Sequence, residues 1–128
     1  MKLDKMAKTI LVVDDSPMEL RVILSALEGK GYQLVTAADG EEALEKCSGF
    51  QPDLILLDII LPKRNGYQVC REIKGRKSPP KIIMVSSKDQ DSDRFWGMRQ
   101  GADGYLTKPI DLKLLANTVD EMLVGQVC

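Results

Sequence analysis

Two stretches, Ile10-Leu11-Val12-Val13-Asp14-Asp15 and Leu54-Ile55-Leu56-Leu57-Asp58, decide the fold. Each is a short apolar run closed by acidic side chains. Such a run, bounded by turn signals, reads as a strand buried on both faces, the pattern of a parallel sheet. In an open parallel sheet, sites form beyond the carboxyl ends of the strands. If the two strands are neighbours, Asp14, Asp15 and Asp58 meet in one crevice. At about 4 Å and an effective dielectric near 20, each pair of like charges repels by roughly 4 kcal/mol. The cluster therefore needs a compensating cation or must hold protons. The chain has no histidine, so a hard, oxygen-ligated ion such as Mg²⁺ is the natural partner.

Outward from these runs, strand and helix alternate five times. The first strand is Thr9–Val13, and Ser16-Pro17-Met18-Glu19 reads as a capping box opening a helix. Leu20, Ile23, Leu24 and Leu27 form that helix's core stripe, and Lys30-Gly31 stops it. Gln33–Ala37 is a weaker strand, followed by a second capping box, Asp39-Gly40-Glu41-Glu42, and a helix burying Ala43, Leu44 and Cys47. After the strand Leu54–Leu57, a loop through Pro62 to Asn65-Gly66 leads into a helix burying Val69, Cys70 and Ile73. Lys81–Ser86 is the fourth strand, and Asp91–Gln100 the fourth helix, with Phe95 and Met98 expected inward and Gly101 at its end. A short strand, Gly104–Thr107, precedes Lys108-Pro109. Asp111 then caps a last helix whose expected stripe is Leu112, Leu115, Ala116, Val119 and Leu123.

The first, third and fourth strands are apolar, whereas the second and fifth are mixed. Interior and edge strands separate accordingly, which fits the order 2-1-3-4-5 in a doubly wound α/β sheet. Right-handed crossovers place helices on both faces. The order reverses between strands one and three, where the three aspartates stand.

The chain's 128 residues, 44% hydrophobic and 29% charged, suit a single domain. Residues 1–8 read as a polar lead-in, 9–124 as the domain and 125–128 as a tail. A net charge of −1 gives no electrostatic case for nucleic acid or an acidic membrane. No apolar stretch is long enough to span a bilayer, and the N-terminus lacks the apolar core of a secretory signal. Cys47, Cys70 and Cys128 are isolated and have no C-x-x-C spacing. They read as small apolar filler in a reducing cytoplasm.

Several motifs in series resemble the receiver domain of bacterial two-component response regulators. They are Val13-Asp14-Asp15-Ser16, then Asp58 with Leu61-Pro62 and Asn65-Gly66, then Ser86-Ser87, then Gly101 through Pro109. The resemblance runs from about Lys8 to Leu123 and implies a flavodoxin-like (βα)5 fold. Ser86-Ser87-Lys88 with Asp93 through Asp103 is also similar to single-domain regulators of type IV pilus twitching and phototaxis, which belong to chemotaxis-like pathways.

Position by position, the resemblance makes Asp58 the phosphoacceptor, taking its phosphoryl group from a sensor histidine kinase. Asp14, Asp15, Asp58 and the backbone carbonyl of Ile60 would hold Mg²⁺. Lys108 would pair with phosphoryl oxygens, Ser86 would donate its hydroxyl, and Pro109 would follow a cis bond. Ser86 would move toward the phosphoryl group and vacate space for Tyr105. The surface of helix four, strand five and helix five would then change for a downstream signalling or motility protein. The resemblance thus implies a stand-alone, non-enzymatic receiver that acts through protein contact, or a receiver cut from a longer regulator.

Three positions depart from the family pattern. Ile60 stands where a polar residue is frequent, Lys88 lies two residues after Ser86, and Ile110 replaces an aromatic. Ile60 and Lys88 are expected to tune access of the hydrolytic water. Tyr105 is open between edge-strand packing and switching, and Trp96 between core packing and a partner anchor. Three rival functions have specific weaknesses. A haloacid-dehalogenase-type phosphohydrolase wants an aspartate where Ile60 stands, and a cap for which the chain has no room. A flavin or nucleotide carrier wants a phosphate-cradling loop in place of Asp14-Asp15-Ser16-Pro17. A pseudo-receiver would lack a key position, and none is missing.

Overall fold

The computed structural model describes residues 8–124; the lead-in before Lys8, the tail 125–128 and Cys128 lie outside the described residues. In chain order the elements are β1 (Thr9–Val13), α1 (Pro17–Leu27), β2 (Gln33–Ala37), α2 (Gly40–Phe50), β3 (Leu54–Leu57), α3 (Gly66–Lys74), β4 (Lys81–Ser86), α4 (Asp91–Arg99), β5 (Gly104–Thr107) and α5 (Leu112–Val124). The five strands are parallel in the order β2-β1-β3-β4-β5, the flavodoxin-like arrangement expected from the apolar and mixed strands.

Side chains alternate across the pleat, so each interior strand feeds two cores. Leu11, Val13, Ile55, Leu57, Ile82 and Met84 meet Ala43, Leu44, Val69, Cys70 and Ile73 under α2 and α3. Ile10, Val12, Leu54, Leu56, Ile83 and Val85 meet Ile23, Leu27, Leu115 and Val119 under α1 and α5. Every residue of β3 is buried. At about 1.5–3 kcal/mol for each fully buried aliphatic side chain, these central strands dominate the stability of the sheet. Cys47 and Cys70 are buried free thiols, the filler role read from their isolation.

Several local expectations need correction. Phe95 and Met98 do not point inward; they are 54% and 48% exposed, and Trp96 is 53% exposed. The only buried residue of α4 is Gly97. A Cβ there would lie 3.2 Å from the Tyr105 ring and 3.5 Å from Met84, so α4 approaches the sheet through its glycine while Tyr105 supplies the apolar contact. Leu112, the first residue of α5, is exposed, whereas Leu115 and Val119 are buried. The helix meets the sheet one turn later than its pattern suggested.

The two N-terminal boxes are each half made. Ser16 and Asp39 accept from the backbone N–H of Glu19 and Glu42. The N–H of Ser16, however, donates to Asp14 Oδ1 at 3.0 Å, and Glu42 accepts from Ala38. A reciprocal box forms instead at α3, between Asn65 and Gln68.

Candidate functional site

Register brings the acidic residues together. Val13 pairs with Leu57, and the Asp58 N–H donates to the Val13 carbonyl at 3.1 Å, so Asp14 and Asp58 leave adjacent strands side by side. Asp14 and Asp58 are buried and Asp15 is exposed, and one carboxylate oxygen from each lies within 4.8 Å of the others.

The backbone beyond Asp58 turns back sharply, with the Gly66 N–H donating to the Ile59 carbonyl at 2.7 Å. A Cβ on Gly66 would lie 2.2 Å from the Asp58 carbonyl oxygen and 2.7 Å from Ile59 Cα. Only glycine lets the first turn of α3 rest on the backbone that carries Asp58. Ile60 donates its N–H to Asp58 Oδ1 at 3.3 Å and leaves its side chain in solvent.

The opposite wall comes from β4 and β5. Ser86 pairs with Thr107, and the Lys108 N–H donates to the Ser86 carbonyl at 2.9 Å. The Lys108–Pro109 bond is cis, as the resemblance implied. Lys108 Nζ lies 2.9 Å from Asp14 Oδ2, 3.3 Å from Asp58 Oδ2 and 3.9 Å from Glu19 Oε1. This ammonium is the cation that the carboxylate cluster required.

Burial pushes the Asp58 carboxyl above its ordinary value; the Lys108 charge opposes that rise, and the Asp14 charge adds to it. For Lys108, burial acts downward but is outweighed by the Asp14 hydrogen bond and the two carboxylate charges, which raise it. Ser86 is fully buried, and its Oγ accepts from the Lys88 N–H at 3.2 Å. The Tyr105 hydroxyl donates to the Lys88 carbonyl at 2.7 Å, and the Arg94 guanidinium sits 5.1 Å from the Tyr105 ring centre. Burial, with Tyr67 and Asp93 nearby, pushes the Tyr105 hydroxyl up to about 12. The Ser86-Ser87-Lys88 turn thus links the crevice to Tyr105 and the start of α4.

The donor set fits a hard divalent cation: three carboxylates converge, with no imidazole in the chain. A buried nucleophilic carboxylate, a lysine and a buried hydroxyl at the same strand ends suit the capture of a phosphoryl group.

The family model of the response regulator receiver domain matches residues 10–120. The chain belongs to the response regulator receiver family. It is 40% identical over 118 residues to Protein PilH of Pseudomonas aeruginosa, covering 91% of this chain and 98% of that protein. It is 45% identical to the alkaline phosphatase synthesis transcriptional regulatory protein PhoP of Bacillus subtilis, covering 81% of this chain but 43% of PhoP. Among solved structures, a two-component response regulator from Clostridium difficile superposes with a TM-score of 0.88 at 28% identity, covering 94% of this chain and 99% of that one. A CheY-like receiver domain protein from Methanospirillum hungatei superposes with a TM-score of 0.85 at 30% identity, covering 92% and 94%. Receivers serve two-component signalling, and that is this chain's role.

In this receiver, Asp14, Asp15, Asp58 and Lys108 converge directly, while Ser86 stands at the crevice wall. Tyr105 lies beside the crevice wall, its hydroxyl donating to the Lys88 carbonyl with the Ser86 side chain close by. Its ring is half-buried against the core. Glu19, which also faces Lys108, escaped the sequence reading because it was assigned to the helix cap. Arg64 did too: it pairs with Glu41 at 2.7 Å and Glu72 at 2.8 Å, clamping the loop after Asp58 to α2 and α3. No spacing rule marks such cross-element ion pairs. Among the described residues, no helix is long and apolar enough to cross a membrane.

Proposed function

We propose that this receiver accepts a phosphoryl group on Asp58 from the phosphohistidine of a sensor histidine kinase. One Asp58 carboxylate oxygen attacks phosphorus. The O–P bond of an aspartyl phosphate forms as the P–N bond breaks, and the departing imidazole nitrogen takes the bonding pair. The observation that carries this reading is Lys108 Nζ bridging Asp14 and Asp58 at the ends of β1 and β3.

Asp14, Asp15 and Asp58, with the Ile60 carbonyl, are the residues that would hold Mg²⁺. When bound, the ion would neutralise charge on the phosphoryl oxygens. Lys108 is positioned to transfer one of its carboxylate contacts to a phosphoryl oxygen. Ser86 then donates its hydroxyl to another oxygen and gives up the Lys88 N–H. That loss moves the turn holding the Tyr105 hydroxyl, so the α4–β5–α5 surface changes for its partner. The receiver is a transducer: turnover is limited to taking up the phosphoryl group and losing it to water, with exposed Ile60 and partly buried Lys88 flanking the water's approach. It works in the cytoplasm, beside its kinase.

Similarity to PilH along nearly the whole of both chains favours a role in pilus-type motility or chemotaxis-like signalling. A second reading, the receiver portion of a longer regulator, is supported by the 43% and 48% of PhoP and of ycf27 of Cyanophora paradoxa that the chain spans.

Intact-protein mass spectrometry after incubation with acetyl phosphate and Mg²⁺ tests the proposal. A single phosphoryl adduct is expected, absent with EDTA and absent in Asp58→Asn. Failure to label with acetyl phosphate and with a phosphorylated kinase, despite Mg²⁺ binding, would remove the phosphoacceptor reading.

A further inference from the structure

The exposed face of α4 carries an aromatic pair whose purpose neither the core nor the crevice explains. Phe95 and Trp96 stand edge to face with ring centres 5.7 Å apart, each more than half exposed. The Arg99 guanidinium lies 5.5 Å from the Phe95 ring centre, one helical turn on. On the flank toward α3, Arg71 donates to Gln100 Oε1 at 3.3 Å, joining the two helices into one surface. Among the described residues, neither Arg71 nor Arg99 has a carboxylate within ion-pair distance. Lys63, Arg64, Lys74 and Arg76, also around α3, are by contrast paired.

This surface lies on the α3 side of α4. Arg94 and its stack on Tyr105 occupy the side toward β5, so the aromatic pair lies on the flank of α4 away from that stack. Tryptophan and arginine are the residue types that dominate binding energy when a partner excludes water from them. Charge selects among occupants. A second copy docked face to face would bring two Arg71 and two Arg99 guanidinium groups into one small patch, a crowding of like charge that costs affinity. A partner presenting an apolar socket rimmed by carboxylates meets complementary charge instead.

We infer that the α3–α4 surface formed by Arg71, Phe95, Trp96, Arg99 and Gln100 is a docking site for an acidic, apolar-faced segment of another protein. The aromatic pair fills the socket, and the two guanidinium groups take the rim carboxylates, bidentately where geometry allows. The site stands independently of phosphoryl transfer, because none of its residues touches the crevice.

Trp96 is the chain's single tryptophan, so its emission reads the site directly. The probes are two amphipathic helical peptides with the same leucine face, one with glutamates and one with lysines on the polar face. The glutamate peptide is expected to shift Trp96 emission to the blue saturably and the lysine peptide to leave it unchanged. The double variant Arg71→Glu/Arg99→Glu should bind the glutamate peptide about tenfold more weakly and gain binding to the lysine peptide. Its circular dichroism melt should match wild type, since both residues are exposed. Equal shifts with both peptides, no shift with either, or glutamate-peptide binding untouched by the charge reversal would each overturn the proposal. Concentration-dependent dimerisation in sedimentation, lost in Trp96→Ala, would overturn it in favour of a second copy as occupant.

Discussion

The β1–β3 crevice and the α4–β5 wall are built to different tolerances. Asp58 leaves a strand in which every residue is buried, is tied to Val13 by a ladder hydrogen bond, and rests against a glycine that admits no side chain. By contrast, α4 buries only Gly97 and β5 is half-exposed throughout. Tyr105 joins the two, through a hydroxyl bond to Lys88 and a ring laid on Gly97. Elements with few buried apolar contacts open at lower free energy than core strands. In the proposed reading, chemistry that needs fixed geometry sits on the rigid part, and the response sits on the part that moves cheaply.

Core truncation breaks this contrast most severely. Leu56→Ala in β3 should cost about 2–5 kcal/mol in urea unfolding, whereas Phe95→Ala on α4 should stay within about 0.5 kcal/mol of wild type. Comparable losses would mean that α4 is held as firmly as the sheet.

Next comes the crevice cation. Lys108→Met leaves Asp14 and Asp58 facing each other unpaired and should cost about 3 kcal/mol without added metal. Saturating Mg²⁺ should recover most of that loss by binding only the folded state. A variant that Mg²⁺ does not restore would argue against the carboxylates as the metal's ligands.

Asp58→Asn acts in the opposite direction. Burial raises the Asp58 carboxyl in the folded state, so the folded protein binds that proton more tightly than the unfolded chain does. The resulting stability is present below the ordinary carboxylate value and is lost as pH rises through the raised folded value. Without metal, Asp58→Asn should therefore melt higher than wild type at neutral pH, and the gain should vanish in acid. Adding Mg²⁺ should reverse the ranking, because the variant has lost a ligand. Thermal melts across pH with EDTA and with Mg²⁺ read all three effects.

The smallest stability change belongs to Gly97→Ala. The methyl group gains about 1 kcal/mol of helix propensity but stands 3.2 Å from the Tyr105 ring, so the two effects nearly cancel. The Tyr105 ring resonances in NMR should nevertheless shift, because the ring must yield. An unmoved ring would separate α4 packing from Tyr105.

Legibility in the sequence follows the same division. All five strand boundaries were readable, because uniformly apolar and mixed runs distinguish interior from edge strands and turn residues close each one. The strand order 2-1-3-4-5 fitted that pattern, and the meeting of Asp14, Asp15 and Asp58 followed once strands one and three were taken as neighbours. Lys108 and Ser86 were legible only through the family resemblance, since a lysine before proline and a serine at a strand end carry no signal by themselves. The face of α4 was misread because its contact with the sheet is a glycine, which leaves no apolar period to detect, and the apolar partner, Tyr105, belongs to another element. Arg64 and Glu19 were missed for a related reason: cross-element ion pairs obey no local spacing.

If Asp58 carries the phosphoryl group, chemical trapping locates it there. Acetyl-phosphate-treated protein is reduced with borohydride, which converts an aspartyl phosphate to homoserine, and the position is located by tandem mass spectrometry. Homoserine at position 58 alone, dependent on Mg²⁺, is the result this account requires. Homoserine at Asp14, Asp15 or another carboxylate, or a phosphoryl adduct that borohydride leaves intact, would contradict it.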